Sequence, residues 1–471
     1  MKKIILLFFV LSTLILSQDK QSLKSRLDSL LNDNYFKSTD IAIEAYDLTT
    51  EDSLYEHHSN LLMHPASNMK ILTTSAGLLF LGPKYNFTTL LCYTGYIADS
   101  ILFGDLYAVG GLDPDFTTKD LDSMVAKLKN LGVKEVFGNI YGDVSMCDSL
   151  FWGNGWMWDD DPSTDAPYMT ALNINANAIH VNVNYINKIP EVTLTPVTKY
   201  VKVKFTSFAG DTSNHKPIVI DRDWINRKNT ILIKRDTNLV LPDNYETSDE
   251  VNVWQPEYYF LTLLKESLIR HGIKFNGIKE IKNLPVNSTE ACSHQREYDT
   301  VIVNLNKISY NLGAEMTLRA MGEKYYGKPA SAKKGLKLID SLLTLSGLNP
   351  KVYRLVDGSG VSHYNLVTAH LLLSVLKYMY FKHPDLYKIL DYSFPIGGQD
   401  GTLDNRMVDT NALNNVHAKT GSLSGVSTLS GYLTAKNGHK IVFSIMEQNF
   451  VGKAKPARDY QDKICEILTD Y

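Results

Sequence analysis

Residues 84 to 286 run in short β-rich pieces, whereas the chain on either side carries helix patterns flanking strands. No other feature constrains the fold as much. Helix and strand at both ends with a β-rich middle predict one αβ domain, of α/β (α+β) class, interrupted by an insertion. A helix is expected over 21–32, where Leu23, Leu27, Leu30 and Leu31 share a face, and a strand over 40–48, where apolar and polar residues alternate. Residues 68–81 read as a mostly apolar helix ended by Gly82-Pro83. Within the middle, strands are expected at 88–93, 136–141, 178–185, 201–205 and 230–233, with one helix at 120–131. Further helices are expected at 256–271, 311–325, 332–345 and 366–381. Strands at 428–434 and 440–447 and a helix at 457–468 close the chain. The expected organisation is an export signal over 1–17, a core domain in two parts, 18–83 and 287–471, and the inserted β-rich region, 84–286.

With 471 residues, 44% apolar and 21% charged, the balance is that of a globular protein, which excludes collagen-like and disordered chains. Lys plus Arg (48) nearly cancels Asp plus Glu (51) and no basic stripe occurs, so nucleic acid is not an expected partner. Met1-Lys2-Lys3 is followed by an apolar run to Ser17 and then by polar Gln18-Asp19-Lys20. That order predicts a secretory signal cleaved near Ser17, with an uncleaved anchor as the alternative. The run is shorter than the ~20 residues that span a bilayer. No later segment is apolar enough to cross one, so the expectation is an exported protein of the periplasm or cell envelope, soluble or loosely held at a surface. Cys92, Cys147, Cys292 and Cys465 are scattered without a C-x-x-C. Export permits a Cys92–Cys147 disulfide, with buried free thiols the alternative. The 12 histidines show no metal-ligand spacing, so no metal and no cofactor are expected.

Three short motifs carry chemistry. Ser67-Asn68-Met69-Lys70 opens the apolar helix after a Pro-Ala turn. Ser67 and Lys70 fall one turn apart on one face. The amine can then take the proton of an otherwise weak hydroxyl nucleophile, and the helix start offers free N–H groups to an oxyanion. Ser309-Tyr310-Asn311 is the only S-x-N in the chain and precedes a helix. The serine could relay a proton and the amide could hold a substrate carbonyl, or both could cap the helix. Lys419-Thr420-Gly421 is the only K-[ST]-G. It is expected to close a strand-like run at 415–418, where lysine and threonine can hold a carboxylate and glycine admits a substrate backbone; a basic turn is the alternative. Singly each signal is weak. Together, in the order S-x-x-K, S-x-N, K-T-G, they occur where active-site serine acyltransferases place them.

At these residues the chain resembles the D-alanyl-D-alanine carboxypeptidase/endopeptidases, the class C low-molecular-mass penicillin-binding proteins. Spacing separates this family from compact relatives: Ser309 follows Ser67 by 242 positions, and Lys419 follows Ser309 by 110. The segments Gly104-Asp105-Leu106 to Asp113-Pro114, Gly142-Asp143-Val144-Ser145, Gly155-Trp156-Met157-Trp158-Asp159-Asp160 and Ala171-Leu172-Asn173 to Asn177 are similar to further runs of the family, as are Asp357-Gly358-Ser359-Gly360 and Asp400-Gly401-Thr402-Leu403. Tyr310 departs from the Asp that many relatives carry.

The resemblance implies a penicillin-binding, serine β-lactamase-like transpeptidase core, an antiparallel sheet flanked by helices, acting on peptidoglycan stem peptides and cross-links. Ser67 would attack the carbonyl between two D-alanines with Lys70 as base, and Ser309 would pass the proton to the leaving amine. Asn311 would bind the acyl-side amide, and Lys419 and Thr420 the terminal carboxylate. The backbone N–H groups of Ser67 and Ser422 would form the oxyanion hole beside Gly421. β-Lactams would leave a persistent acyl-serine. A serine β-lactamase and a catalytically decayed wall-binding module are the alternatives. By the same resemblance Asp143 would face the side-chain amine of the stem peptide, or else cap the turn after its strand.

Overall fold

The computed structural model describes residues 20–210 and 216–471, so the expected signal at 1–17 lies outside the described residues. The chain divides into two compact units. One comprises the residues up to Pro83 with Ile302–Tyr310 and Gly335–Tyr471; the other comprises Lys84–Val301 and Asn311–Lys334.

The first unit is built on a five-stranded antiparallel sheet. Its strands, from one edge to the other, are His417–Leu423, Val426–Thr434, Lys440–Gln448, Asp40–Asp47 and Asp52–His57. The three central strands are buried along nearly their whole length, because helices cover both faces. Leu23 and Leu27 of the helix at 20–31, with Ile464 and Leu468 of helix Lys455–Thr469, pack on Ile41, Ile43, Phe443 and Ile445. Alternate positions on the same strands face the other way. There the Tyr432 hydroxyl donates to the Leu376 carbonyl (2.9 Å) of helix Ala369–Lys382.

The second unit has a five-stranded mixed sheet, in the order Lys279–Ile281, Ile140–Asp143, Leu106–Val109, Asn86–Tyr93 and Thr289–Glu297. Helices Thr118–Asn130 and Pro256–Arg270 share its apolar core. Two three-stranded sheets and one four-stranded sheet complete the unit. The strand expected at 136–141 is two pieces, Glu135–Val136 and Ile140–Asp143, which pair in different sheets. Gly138 sits at the break, where a Cβ would lie 2.1 Å from the Gly104 carbonyl oxygen. The unit also reaches past the expected boundary at 286. Thr289–Glu297 pairs with Asn86–Tyr93, and the chain returns at Asn311 for helix Asn311–Tyr326. All four cysteines are free thiols. No helix among the described residues is long and apolar enough to cross a membrane.

Candidate active site

Ser67 lies in a 3-10 turn, Ala66–Asn68, that leads directly into helix Met69–Phe80. The Lys70 ammonium donates to Ser67 Oγ at 2.8 Å and to the Ser359 carbonyl oxygen at 2.8 Å. Lys70 has no exposed surface, whereas Ser67 is half-buried. Ser359 is fixed by its own loop. The Asp357 carboxylate accepts from the N–H groups of Gly360 (2.9 Å) and Ser362 (2.8 Å) and from the Asn365 amide (2.7 Å). Gly360 has φ +87°, and a Cβ there would lie 1.8 Å from the Ala66 carbonyl oxygen, so only glycine lets this loop close on the serine turn.

Lys419 stands on the edge strand His417–Leu423, which continues through the K-T-G motif instead of closing at 418 as expected, because Lys419 to Leu423 pair with Val426 to Ser430. The Lys419 side chain is fully buried and donates to Ser309 Oγ and to the Thr420 carbonyl oxygen, both at 2.9 Å. Burial, and after it the charge of nearby Lys70, hold the Lys419 amine well below the usual lysine range. At Gly421 an added Cβ would stand 2.2 Å from Thr428 Oγ1 and 2.9 Å from the Ser67 backbone nitrogen. The bare backbone of the edge strand is what lets it approach Ser67. Ser422 is exposed, and its hydroxyl accepts from Arg458 (3.3 Å).

Ser309 sits at φ +60° between helices Tyr298–Lys307 and Asn311–Tyr326, and the Tyr310 N–H donates back to the Leu305 carbonyl (2.9 Å). The end of the first helix is tied down by Lys307, whose ammonium bonds both carboxylate oxygens of Asp400 (2.9 and 2.7 Å) and the Phe394 carbonyl (2.6 Å). The same Asp400 loop presents Thr402, whose hydroxyl hydrogen-bonds that of Thr420 at 2.7 Å. Thr402, Asp400 and the Ser359 carbonyl are site elements to which the sequence assigned no role. Their signal was present in the Asp400-Gly401-Thr402 and Asp357-Gly358-Ser359-Gly360 runs.

The first unit therefore gathers Ser67, Lys70, Ser309, Lys419, Thr420 and Gly421. Asn311 and Asp143 belong to the second unit. There the Asn311 amide donates to the Asp165 carbonyl (2.6 Å). Asp143, 6% exposed, ends its strand and accepts from the backbone N–H groups of Ser145 (2.8 Å) and Leu284 (2.7 Å).

A half-buried serine bonded to a buried lysine, with a second lysine–serine pair on the adjoining sheet edge, defines a serine acyl-enzyme hydrolase of the penicillin-binding type. The chain belongs to the D-Ala-D-Ala carboxypeptidase 3 (S13) family, whose profile matches residues 23–471. It is a serine-type D-Ala-D-Ala carboxypeptidase. It is 29% identical over 414 residues to the D-alanyl-D-alanine carboxypeptidase DacB of Haemophilus influenzae, covering 86% of this chain and 85% of that one. To the D-alanyl-D-alanine carboxypeptidase of Actinomadura sp. it is 29% identical over 471 residues, 95% of this chain and 85% of that one. The crystal structure of penicillin-binding protein 4 from Haemophilus influenzae matches with a TM-score of 0.82 at 27% identity, over 94% of this chain and 99% of the other. The structure of that protein complexed with a β-lactam matches at 0.77, with 26% identity over 95% and 99%.

Proposed function

We propose that the enzyme cleaves the terminal D-Ala-D-Ala bond of peptidoglycan stem peptides through an ester on Ser67. The 2.8 Å contact between Ser67 and Lys70 carries the assignment. Lys70 is fully buried and bonded to the Ser67 hydroxyl, the geometry a general base requires. Lys70 takes the Ser67 proton as Oγ attacks. The backbone N–H groups of Ser67 and Ser422 are assigned to the oxyanion. Ser309, bonded to Lys419, delivers the proton to the departing D-alanine amine. Thr420 and Lys419 bind its carboxylate, whose charge compensates the buried ammonium. Asn311 is assigned the acyl-side amide from its place in the motif. Water then hydrolyses the ester. Export by the segment 1–17 would deliver the enzyme to its polymer in the periplasm or cell envelope. The family match and the intact polar groups weigh against the β-lactamase and decayed-module alternatives. The test is peptide-mapping mass spectrometry of penicillin-treated protein. The adduct is expected on the peptide carrying Ser67, and an adduct elsewhere overturns the assignment.

A further inference from the structure

The second unit holds a cavity of about 980 Å³, far larger than a water pocket and of the size that encloses a small-molecule or peptide ligand. Helix Pro256–Arg270 supplies one wall through Thr262, Lys265, Glu266, Ile269 and Arg270, which recur at helical spacing and so share a face. The edge strand Lys279–Ile281 adds Lys279, and the segment 196–200 closes over the opposite side. Tyr200 is pinned there by bonds from its hydroxyl to the Trp254 (2.6 Å) and Gln255 (2.8 Å) carbonyls.

The charges are unbalanced. Four cations line the cavity, Lys199, Lys265, Arg270 and Lys279, against two acids, Asp122 and Glu266. Asp122 is paired with a cation, whereas Glu266 keeps one buried carboxylate oxygen without a hydrogen-bond partner among the described residues. Asp122 accepts from Arg270 (2.7 Å) and from the Ser267 hydroxyl, and one Glu266 oxygen accepts the Lys199 N–H (2.8 Å). Lys279 donates to the Thr262 hydroxyl (2.8 Å), and Lys265 lies over the Phe275 ring, 5.5 Å from its centre. Neither ammonium has an ion-pair partner among the described residues. Burial, and after it the Lys265 charge, push the Lys279 amine down, with Glu266 opposing them; counting Glu266 and the Asp122–Arg270 pair, the cavity still keeps an excess of cations that an entering carboxylate would balance. Beside these charges the walls are apolar, with Val197 81% and Ile269 56% exposed. Through Thr118 and Pro196 the cavity continues into a smaller hollow of about 370 Å³ lined by Lys119, Asn175 and His180. The adjoining hollow is mixed in charge, with Lys119 and the His180–Glu250 pair on its walls and Asn175 held by Thr118 and Tyr259.

We propose that this cleft is a second, non-catalytic binding site for a carboxylate-bearing peptide, with Lys265 and Lys279 clasping a carboxylate and the apolar wall taking short aliphatic side chains. Resting on the peptidoglycan assignment above, the occupant is a stem peptide of the wall polymer. A site of this kind would keep the enzyme on its polymer between turnovers.

The test uses the full protein after acylation of Ser67 by penicillin, with the acylation first verified by mass. Calorimetric titration with the soluble tetrapeptide L-Ala-γ-D-Glu-L-Lys-D-Ala is expected to show one saturable site. Amidation of the peptide carboxylates should weaken binding at least tenfold on the wild-type protein. Joint Lys265→Met and Lys279→Met substitution should do the same while leaving the acylation rate unchanged. Absence of saturable binding overturns the proposal. So does equal affinity for the amidated peptide, or displacement by inorganic phosphate at concentrations as low as those of the peptide, which would mark a general anion site. Failure of Ser67 to acylate would instead strike the catalytic reading, so the two failures are distinguishable.

Discussion

Lys70 and Lys419 are two full-length lysines with no exposed surface, each bonded to a serine hydroxyl, and the different roles proposed for them rest on what else they touch. Lys70 reaches the half-buried hydroxyl that opens a helix, the place for a base. Lys419 sits on the edge strand beside Thr420, the place for a carboxylate clamp. Arginine can imitate a clamp but not a base, since a guanidinium stays protonated at any working pH. Lys70→Arg should therefore fold yet acylate with fluorescent penicillin more slowly by roughly 10²–10⁴-fold, the worth of general-base assistance. A folded variant that acylates at a near-normal rate removes Lys70 from the mechanism. Asp143 poses the opposite question. Its carboxylate accepts two backbone N–H groups, which supports the turn-capping role over recognition of a substrate amine. An amide there turns an NH₂ toward one of those donors, so Asp143→Asn should cost about 1–3 kcal/mol in a thermal melt. Activity on peptides with a free and with an acetylated side-chain amine should fall by the same fraction. A selective loss on the free amine would restore the recognition role.

Helix Tyr298–Lys307 and the Asp400 loop are positioned by one lysine, and that dependence was invisible in the sequence because 93 residues separate Lys307 from Asp400. Replacing Lys307 by methionine keeps the stem but removes the ammonium from the Phe394 carbonyl and from the Asp400 carboxylate, to which only the Ile396 N–H (2.9 Å) still donates. The expected cost is about 1–3 kcal/mol in denaturant unfolding. Acylation should also slow, because Ser309 follows this helix and Thr402 sits on this loop. An unfolding midpoint and an acylation rate both equal to wild type would show that the tie does not position the site. The same contrast separates what was legible from what was not. The helices Asn311–Tyr326 and Ala332–Leu345 and the strands Val426–Thr434 and Lys440–Gln448 emerge within a few residues of their expected bounds, because their apolar positions follow the period of the element. Strand Thr289–Glu297 reads T-E-A-C-S-H-Q-R-E, an edge strand with one buried position, so no alternation announced it. Its partner lies about two hundred residues earlier in the chain, and pairing of that range leaves no local trace. At the site, the side chains assigned to the chemistry were readable as motifs. For the Ser359 carbonyl only its loop was readable, as the Asp357-Gly358-Ser359-Gly360 run, and not its role, because a backbone acceptor carries no residue type.

Across the whole molecule, stability should carry a pH signature that starts from one carboxyl group in the sheet of the first unit. Glu447 has no exposed surface and pairs across the ladder with Ile41 and Ser427. Neither of its carboxylate oxygens has a hydrogen-bond partner within normal range. Burial raises its pKa from 4.5 to about 8, with Tyr35, Arg406 and Gln461 offsetting that only in part. The folded chain thus holds a proton on Glu447 that the unfolded chain releases above about pH 4.5. In that interval the folded state binds more protons, so stability falls as pH rises and levels off above about pH 8, by up to about 1.4 kcal/mol per pH unit. Other groups act with the same sign, Glu257 and Asp340 (both raised by burial) among them, while His57 and His294, lowered by burial, act against it. Asp113, pushed up to about 6 by burial despite Arg296, finishes by that pH. His370, whose charge is favoured by its bond to Glu44, loses stabilising charge as pH rises through its raised pKa. The raw curve therefore mixes several groups, and the comparison with Glu447→Gln isolates the one. Glutamine keeps the shape of the neutral acid and cannot ionise. The variant should melt close to wild type at pH 5 and several degrees above it at pH 8.5, with the gap opening steadily between. Parallel melting curves for the two proteins from pH 5 to 8.5 would mean that Glu447 is ionised in the folded enzyme, and that the sheet tolerates a buried charge there.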